Sequence, residues 1–244
     1  FELVIVQQPI RARMCGFGDK DRRPCTPPPI LKLLAFDRNN QPVDTESIDK
    51  SFLVVHVDLW SADRQTQQNL VLHPSLGQNL TASGDESPGA SGSGPMYSVM
   101  SNDMSQSSPL SSPSNPRPQP ISPPSTGLVA SARNSSKMME IRNLIGSPAT
   151  SACKLYDTDG KLGIFFIFQD LSIRTEGTFT LKFSFVDIGT SQHQLNSGKD
   201  CVRFQVFSDP FTVYSAKKFP GMIESTPLSK CFVKQGIKIS VRKE

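Results

Sequence analysis

Between residues 178 and 186 the chain alternates without interruption, with Phe179, Leu181, Phe183 and Phe185 on one parity and Thr178, Thr180, Lys182 and Ser184 on the other. Successive side chains of an extended strand point to opposite faces, so this segment reads as a strand with one buried and one wet face. The same period recurs at Val202, Phe204 and Val206 around Arg203 and Gln205, and at Ile237, Ile239 and Val241 around Lys238, Ser240 and Arg242. Residues 52–60 place Leu53, Val55, Val57 and Leu59 on one side and Phe52, Val54, His56, Asp58 and Trp60 on the other. Residues 162–168 are apolar at nearly every position, as expected of a strand covered on both faces. With residues 1–6 and 30–36 added, about seven strands separated by turns rich in Gly, Pro and Asp predict an antiparallel sandwich.

One segment departs from this period. Thr226 suits an N-cap, Pro227 the first helical position and Gly236 a closing residue. Leu228, Cys231, Phe232 and Gln235 between them repeat at three- and four-residue spacing, so a short amphipathic helix is expected on the sandwich. Residues 79–136 follow neither period, and more than half of them are Ser, Pro or Gly. Such a stretch buries too little apolar surface to offset an ordering cost of roughly 1–2 kcal/mol per residue. The expected organisation is therefore a single domain over residues 1–244, with residues 79–136 as a disordered insertion dispensable for folding. Ser87-Pro88, Ser108-Pro109, Ser112-Pro113 and Ser122-Pro123 inside it read equally as phosphorylation sites and as the ordinary dipeptides of a Ser/Pro-rich linker.

The chain starts at a Phe that opens a strand-like run, which reads as a segment cut from a longer protein, and nothing within it resembles a signal peptide. No apolar run approaches the ~18 residues of a membrane span. Five cysteines, an odd number with no C-x-x-C pair, fit a reducing compartment better than a disulfide framework. The net charge of +4 is concentrated at the ends. Residues 11–32 carry Arg11, Arg13, Lys20, Arg22, Arg23 and Lys32 against Asp19 and Asp21, and the last thirty residues are again basic.

Candidates for catalysis are sparse. His56, His73 and His193 have no metal-like spacing to one another or to cysteine, and His56 beside Asp58 reads as a structural or surface histidine before an acid–base pair. Gly16-Phe17-Gly18-Asp19-Lys20 lacks both the third glycine of a dinucleotide fingerprint and the G-K-[ST] of a P-loop. No catalytic residue, metal or cofactor is assigned, and the chain is not expected to be an enzyme. The strongest local signal is the run from Arg11 to Pro24, followed by Cys25-Thr26-Pro27-Pro28-Pro29. Its glycines allow a turn, its prolines hold the exit extended, and its arginines supply donors suited to phosphates and to a guanine edge. On composition alone a solvated, charge-rich loop is the favoured reading.

These residues also carry a family resemblance. Val6-Gln7-Gln8-Pro9, Arg11-Ala12-Arg13, Gly18-Asp19-Lys20-Asp21-Arg22-Arg23-Pro24 and Pro27-Pro28-Pro29 resemble the amino-terminal signature of the velvet family of fungal regulators. Val57-Asp58-Leu59-Trp60, Leu72-His73-Pro74-Ser75, the block from Gly163 to Gly177, and Lys218-Phe219-Pro220-Gly221-Met222 with Gln235-Gly236-Ile237-Lys238-Ile239 follow in family order. The Gly-Phe-Gly-Asp-Lys-Asp-Arg-Arg-Pro loop and the insertion after Ser75 are most similar to the VelB subgroup. The resemblance implies an immunoglobulin-like sandwich similar to the Rel homology DNA-binding domain, acting in sporulation and secondary metabolism. It also implies double-stranded DNA contact through Arg11, Arg13, Lys20, Arg22 and Arg23. The implied partners are VosA-type or VeA-type velvet proteins or a second copy, with a methyltransferase-containing complex reached through the VeA-type partner, in nucleus and cytoplasm. A scaffold whose partner makes the main DNA contact is the alternative.

Overall fold

The computed structural model describes residues 1–18, 22–73, 139–189, 194–196, 198–199 and 201–240. The expected insertion at residues 79–136 lies outside them. In chain order the strands are β1 (Glu2–Gln7), β2 (Arg11–Arg13), β3 (Ile30–Leu34), β4 (Leu53–Ser61), β5 (Leu70–Leu72), β6 (Glu140–Arg142) and β7 (Leu144–Ile145). Then come β8 (Ala149–Ser151), β9 (Cys153–Tyr156), β10 (Leu162–Ile167), β11 (Ser172–Ile173), β12 (Gly177–Asp187), β13 (Phe204–Phe207) and β14 (Phe211–Tyr214), followed by the helix α1 (Pro227–Lys234).

The alternating segment becomes β12, the spine of a six-stranded sheet ordered β2-β14-β12-β4-β8, with β13 also paired to β12. Along one edge β12 meets β4 over nine residue pairs, from Phe179 opposite Ser61 to Asp187 opposite Leu53. Its other edge is shared between β14 at Gly177–Phe179 and β13 at Lys182–Phe185. A four-stranded sheet ordered β1-β3-β10-β9 supplies the second layer, so the described residues form an all-β fold with one α-helix and the character of a β-sandwich.

The two layers meet through the faces that the alternation defines. Leu53, Val55, Val57 and Leu59 of β4 and Phe179, Leu181, Phe183 and Phe185 of β12 are buried against Leu31, Leu33, Ile164 and Phe166 of the other sheet. Phe166 lies edge-on to Phe185 at 6.1 Å, and Phe168 lies 5.2 Å from Phe183. The opposite parity of β10 is covered too, as its unbroken apolar run predicts. Phe165 and Ile167 join Ile30, Leu155, Phe232 and Ile239 in a second cluster beneath α1, with Phe165 and Phe232 at 4.8 Å.

The helix starts and stops where its capping residues place it. Thr226 Oγ1 accepts a hydrogen bond from Ser229 N, Pro227 is the first residue of the helix, and Gly236 follows the C-cap with φ 92°. The left-handed conformation at Gly236 is one that a residue with a Cβ rarely adopts. Gln7 anchors the helix start to β1 by donating from Nε2 to Pro28 O and Ser229 Oγ. At the other end Gln235 accepts from Tyr156 N and donates to Tyr156 O, so its amide mimics a strand partner on the edge of β9.

Three expectations need correction. Residues 237–240 form no strand: Ile237 N donates to Phe232 O, and Ile239 packs into the cluster under α1. The alternation there reflects packing against the helix rather than sheet pairing. Val202 precedes β13 and is exposed, because β13 begins only at Phe204. Arg11–Arg13, read as part of a turn, is a strand, and its pairing with β14 is parallel within an otherwise antiparallel set.

Candidate nucleic-acid interface

The parallel pairing of β2 decides where its arginines point. Arg11, Ala12 and Arg13 lie opposite Thr212, Val213 and Tyr214, and Ala12 is fully buried in the sandwich core. Neighbouring residues of a strand face opposite ways, so Arg11 and Arg13 lie on the outer face of the six-stranded sheet. The returning chain is stitched to this strand, since Thr26 O accepts from Ile10 N and Arg11 N, and Thr26 N donates to Arg11 O.

Between those points the chain leaves the sheet and grips β11 from two sides. Met14 N donates to Tyr214 O, Cys15 N to Ile173 O and Gly16 N to Arg174 O. On the return Cys25 N donates to Leu171 O, while Arg23 O accepts from Ser172 Oγ. Gly16 turns the chain with φ 65°, a conformation that costs glycine nothing. Lys20 lies outside the described residues.

Arg22 is exposed but not idle. Its Nη2 donates to Asp170 O at 2.9 Å and lies 3.6 Å from Asp170 Oδ2. The same carboxylate accepts from Ser147 N and Ser147 Oγ, which joins the loop to the turn after β7. Gly146 in that turn has φ 113°, and a Cβ there would sit 2.5 Å from Asp170 O. Arg22 is therefore more than a solvated loop charge, because part of its bonding capacity holds the corner together.

Arg174, from distant sequence, also belongs to this corner and ties it to the backbone of Arg142. Arg174 follows β11 and donates from Nη1 to Gly16 O and from Nε to Arg142 O, both at 2.9 Å, with its guanidinium 6.0 Å from the Phe17 ring. Arg142 ends β6, which pairs with β5 in a two-stranded ribbon. On its far side Phe17 meets the His73 ring edge-on at 5.2 Å, just beyond the end of β5. Arg174 sits inside the sequence block from Gly163 to Gly177, but no periodicity marks either arginine as a neighbour of a loop about 130–160 residues away.

The electrostatics fit a binding surface better than a reactive one. Burial pushes the Cys15 thiol up, opposed by the nearby positive charges of Arg174 and Arg22. Burial pushes Cys25 up to about 12. Neither thiol is a thiolate at neutral pH, so neither is an activated nucleophile. His56 Nδ1 lies 3.5 Å from Asp58 Oδ2, but Asp58 Oδ1 accepts from Asn69 Nδ2 and Gln67 Nε2, fastening the turn after β4. Among the described residues no group of three or more His, Cys, Asp or Glu is placed to hold a metal, and no helix is long and apolar enough to cross a membrane.

The family model described as "Velvet factor" matches residues 1–244. The whole chain aligns with a velvet complex subunit of Emericella nidulans at 42% identity and with one of Aspergillus flavus at 43%, covering 78% of each protein. It aligns with a velvet complex subunit of Botryotinia fuckeliana at 37%, covering 73% of that protein. A family match along the full length, on the β-sandwich and basic corner described above, establishes that this chain belongs to the velvet-factor family.

Proposed function

We propose that this chain is a DNA-binding transcriptional regulator of fungal development and secondary metabolism that works as a velvet homodimer or heterodimer in nucleus and cytoplasm. The family membership supports a regulatory role, and the relatives named as members of a velvet complex support association with other velvet proteins. The observation that carries the DNA reading is the corner itself. Arg11 and Arg13 lie on the outer face of an edge strand, and Arg22 and Arg23 lie on the loop that leaves and rejoins it. Such a cluster supplies the positive charge and planar donors that phosphate oxygens and base edges require.

Phosphate neutralisation makes affinity fall with salt in proportion to the contacts made. With about five contacts, binding of the isolated domain to double-stranded DNA should give a log–log slope of about −4 to −5. A slope near zero would remove the basic corner from the interface. A second reading, in which the chain scaffolds a partner that makes the main DNA contact, is favoured by the exposed Leu70, Leu72 and Met139 on and beside the ribbon. Gel shifts of the domain alone and with a velvet partner separate the two readings. The methyltransferase-containing complex belongs to the same proposal, through a VeA-type partner.

A further inference from the structure

We infer that Arg174 is a positioning residue of the basic corner, which shapes the DNA-contacting loop without itself neutralising a phosphate. The inference rests on the DNA-binding reading for its functional consequence, but its structural basis is independent of that reading. Arg174 N donates to Asn143 O and Arg174 O accepts from Gly16 N, so its own backbone is fixed between β6–β7 and the loop. Asn143, itself buried, also accepts from Thr175 N and Thr175 Oγ1, which makes the next residue equally rigid. From this base the guanidinium donates through Nε to Arg142 O and through Nη1 to Gly16 O, two carbonyls of different chain segments. A planar fork spans two such acceptors at once, which a lysine ammonium on a flexible stem does not reproduce.

The contact falls at the turn itself. Gly16 occupies the left-handed region, and an added Cβ there would meet no atom within 4 Å. Phe17 lies between the Arg174 guanidinium and the His73 ring. A change at Arg174 therefore loosens the turn at Gly16–Phe17 that leads to Arg22 and Arg23. The loop arginines would then have to be ordered on binding, and affinity is lost without loss of a phosphate contact.

The test uses Arg174→Met and Arg174→Lys, with amide hydrogen exchange and DNA titration against salt on both. Positioning predicts faster exchange at Cys15 and Gly16 in both variants, with unchanged exchange in β4 and β12. It also predicts affinity down about tenfold, the scale of losing one charge-assisted hydrogen bond, and a salt slope equal to that of the parent chain. Arg174→Lys keeps the charge and the aliphatic stem, so it serves as the folded variant should Arg174→Met unfold. Rescue of affinity by lysine, or a slope shallower by about one in the methionine variant, would make Arg174 a phosphate contact and overturn the inference. Exchange that accelerates across β4 and β12 as well, or not at all at Gly16, would also overturn it. If the parent chain binds no DNA, the proposed function fails, and the exchange pattern alone then decides whether Arg174 shapes the loop.

Discussion

Phe183 in the middle of the sandwich has no solvent exposure and lies against Phe168 at 5.2 Å, while Arg22 at the basic corner keeps 39% of its side chain exposed and holds its place through one aspartate. The core is dense and repetitive: β4, β12 and β10 each contribute alternate apolar side chains, packed so closely that the loss of one is felt by its neighbours. The corner is held by singular contacts, backbone hydrogen bonds to neighbouring segments together with hydrogen bonds from polar side chains to a carbonyl or carboxylate. Stability belongs mainly to the first region and surface shape to the second, so a core substitution should leave the corner's signature intact.

The largest effect expected is at the core. Phe183→Ala should cost about 3–5 kcal/mol in urea unfolding, from lost burial plus a cavity that the two sheets cannot close. The fraction that remains folded should bind DNA with the parent salt slope, and a changed slope would show that core and corner are not separable. Gly146→Ala comes next, on the order of 1–3 kcal/mol, because a Cβ meets Asp170 O and the backbone sits in a left-handed conformation. Unlike the core variant it should weaken DNA binding as well, since Asp170 holds Arg22. Unchanged affinity with lowered stability would make that contact purely structural.

Thr226→Ala removes the helix cap and should lower stability by about 1 kcal/mol in thermal denaturation, with no effect on DNA affinity. The smallest effect is alkaline. Burial raises the thiols of Cys25 and Cys15 in the folded chain, whereas in the unfolded chain they ionise near the ordinary value of 9.0. Above that pH the unfolded state binds fewer protons than the folded state, so stability is retained below about 9 and declines as pH rises towards about 12. Up to a pH of about 9.5 the loss from Cys25 should stay below about 1 kcal/mol. Cys25→Ala should flatten this limb, and an unchanged limb would assign the alkaline loss to other groups.

How much of this was legible depends on the range of the information. β4, β10 and β12 follow from period-two alternation because the residues that make each face are near neighbours in sequence. The helix is legible from Thr226, Pro227 and Gly236 for the same reason. The short strands β7, β8, β11 and β14 are not, since two to four residues leave no room for a period. The run at Ile237–Ile239 imitates a strand because packing on a helix also buries alternate residues of an extended chain.

By itself the sequence determined the sandwich class, the apolar faces, the capped helix and the charge of the loop, all of which are set by residue type at local spacing. The tertiary structure alone decided that Arg11 and Arg13 share an outer sheet face, that Arg22 is held by Asp170, and that Arg174 ties the Gly16 turn to the Arg142 carbonyl. The physical reason is that a carbonyl acceptor carries no side-chain signature. Which arginine reaches Gly16 O or Asp170 O is fixed only when β2, β6 and β11 are folded against one another.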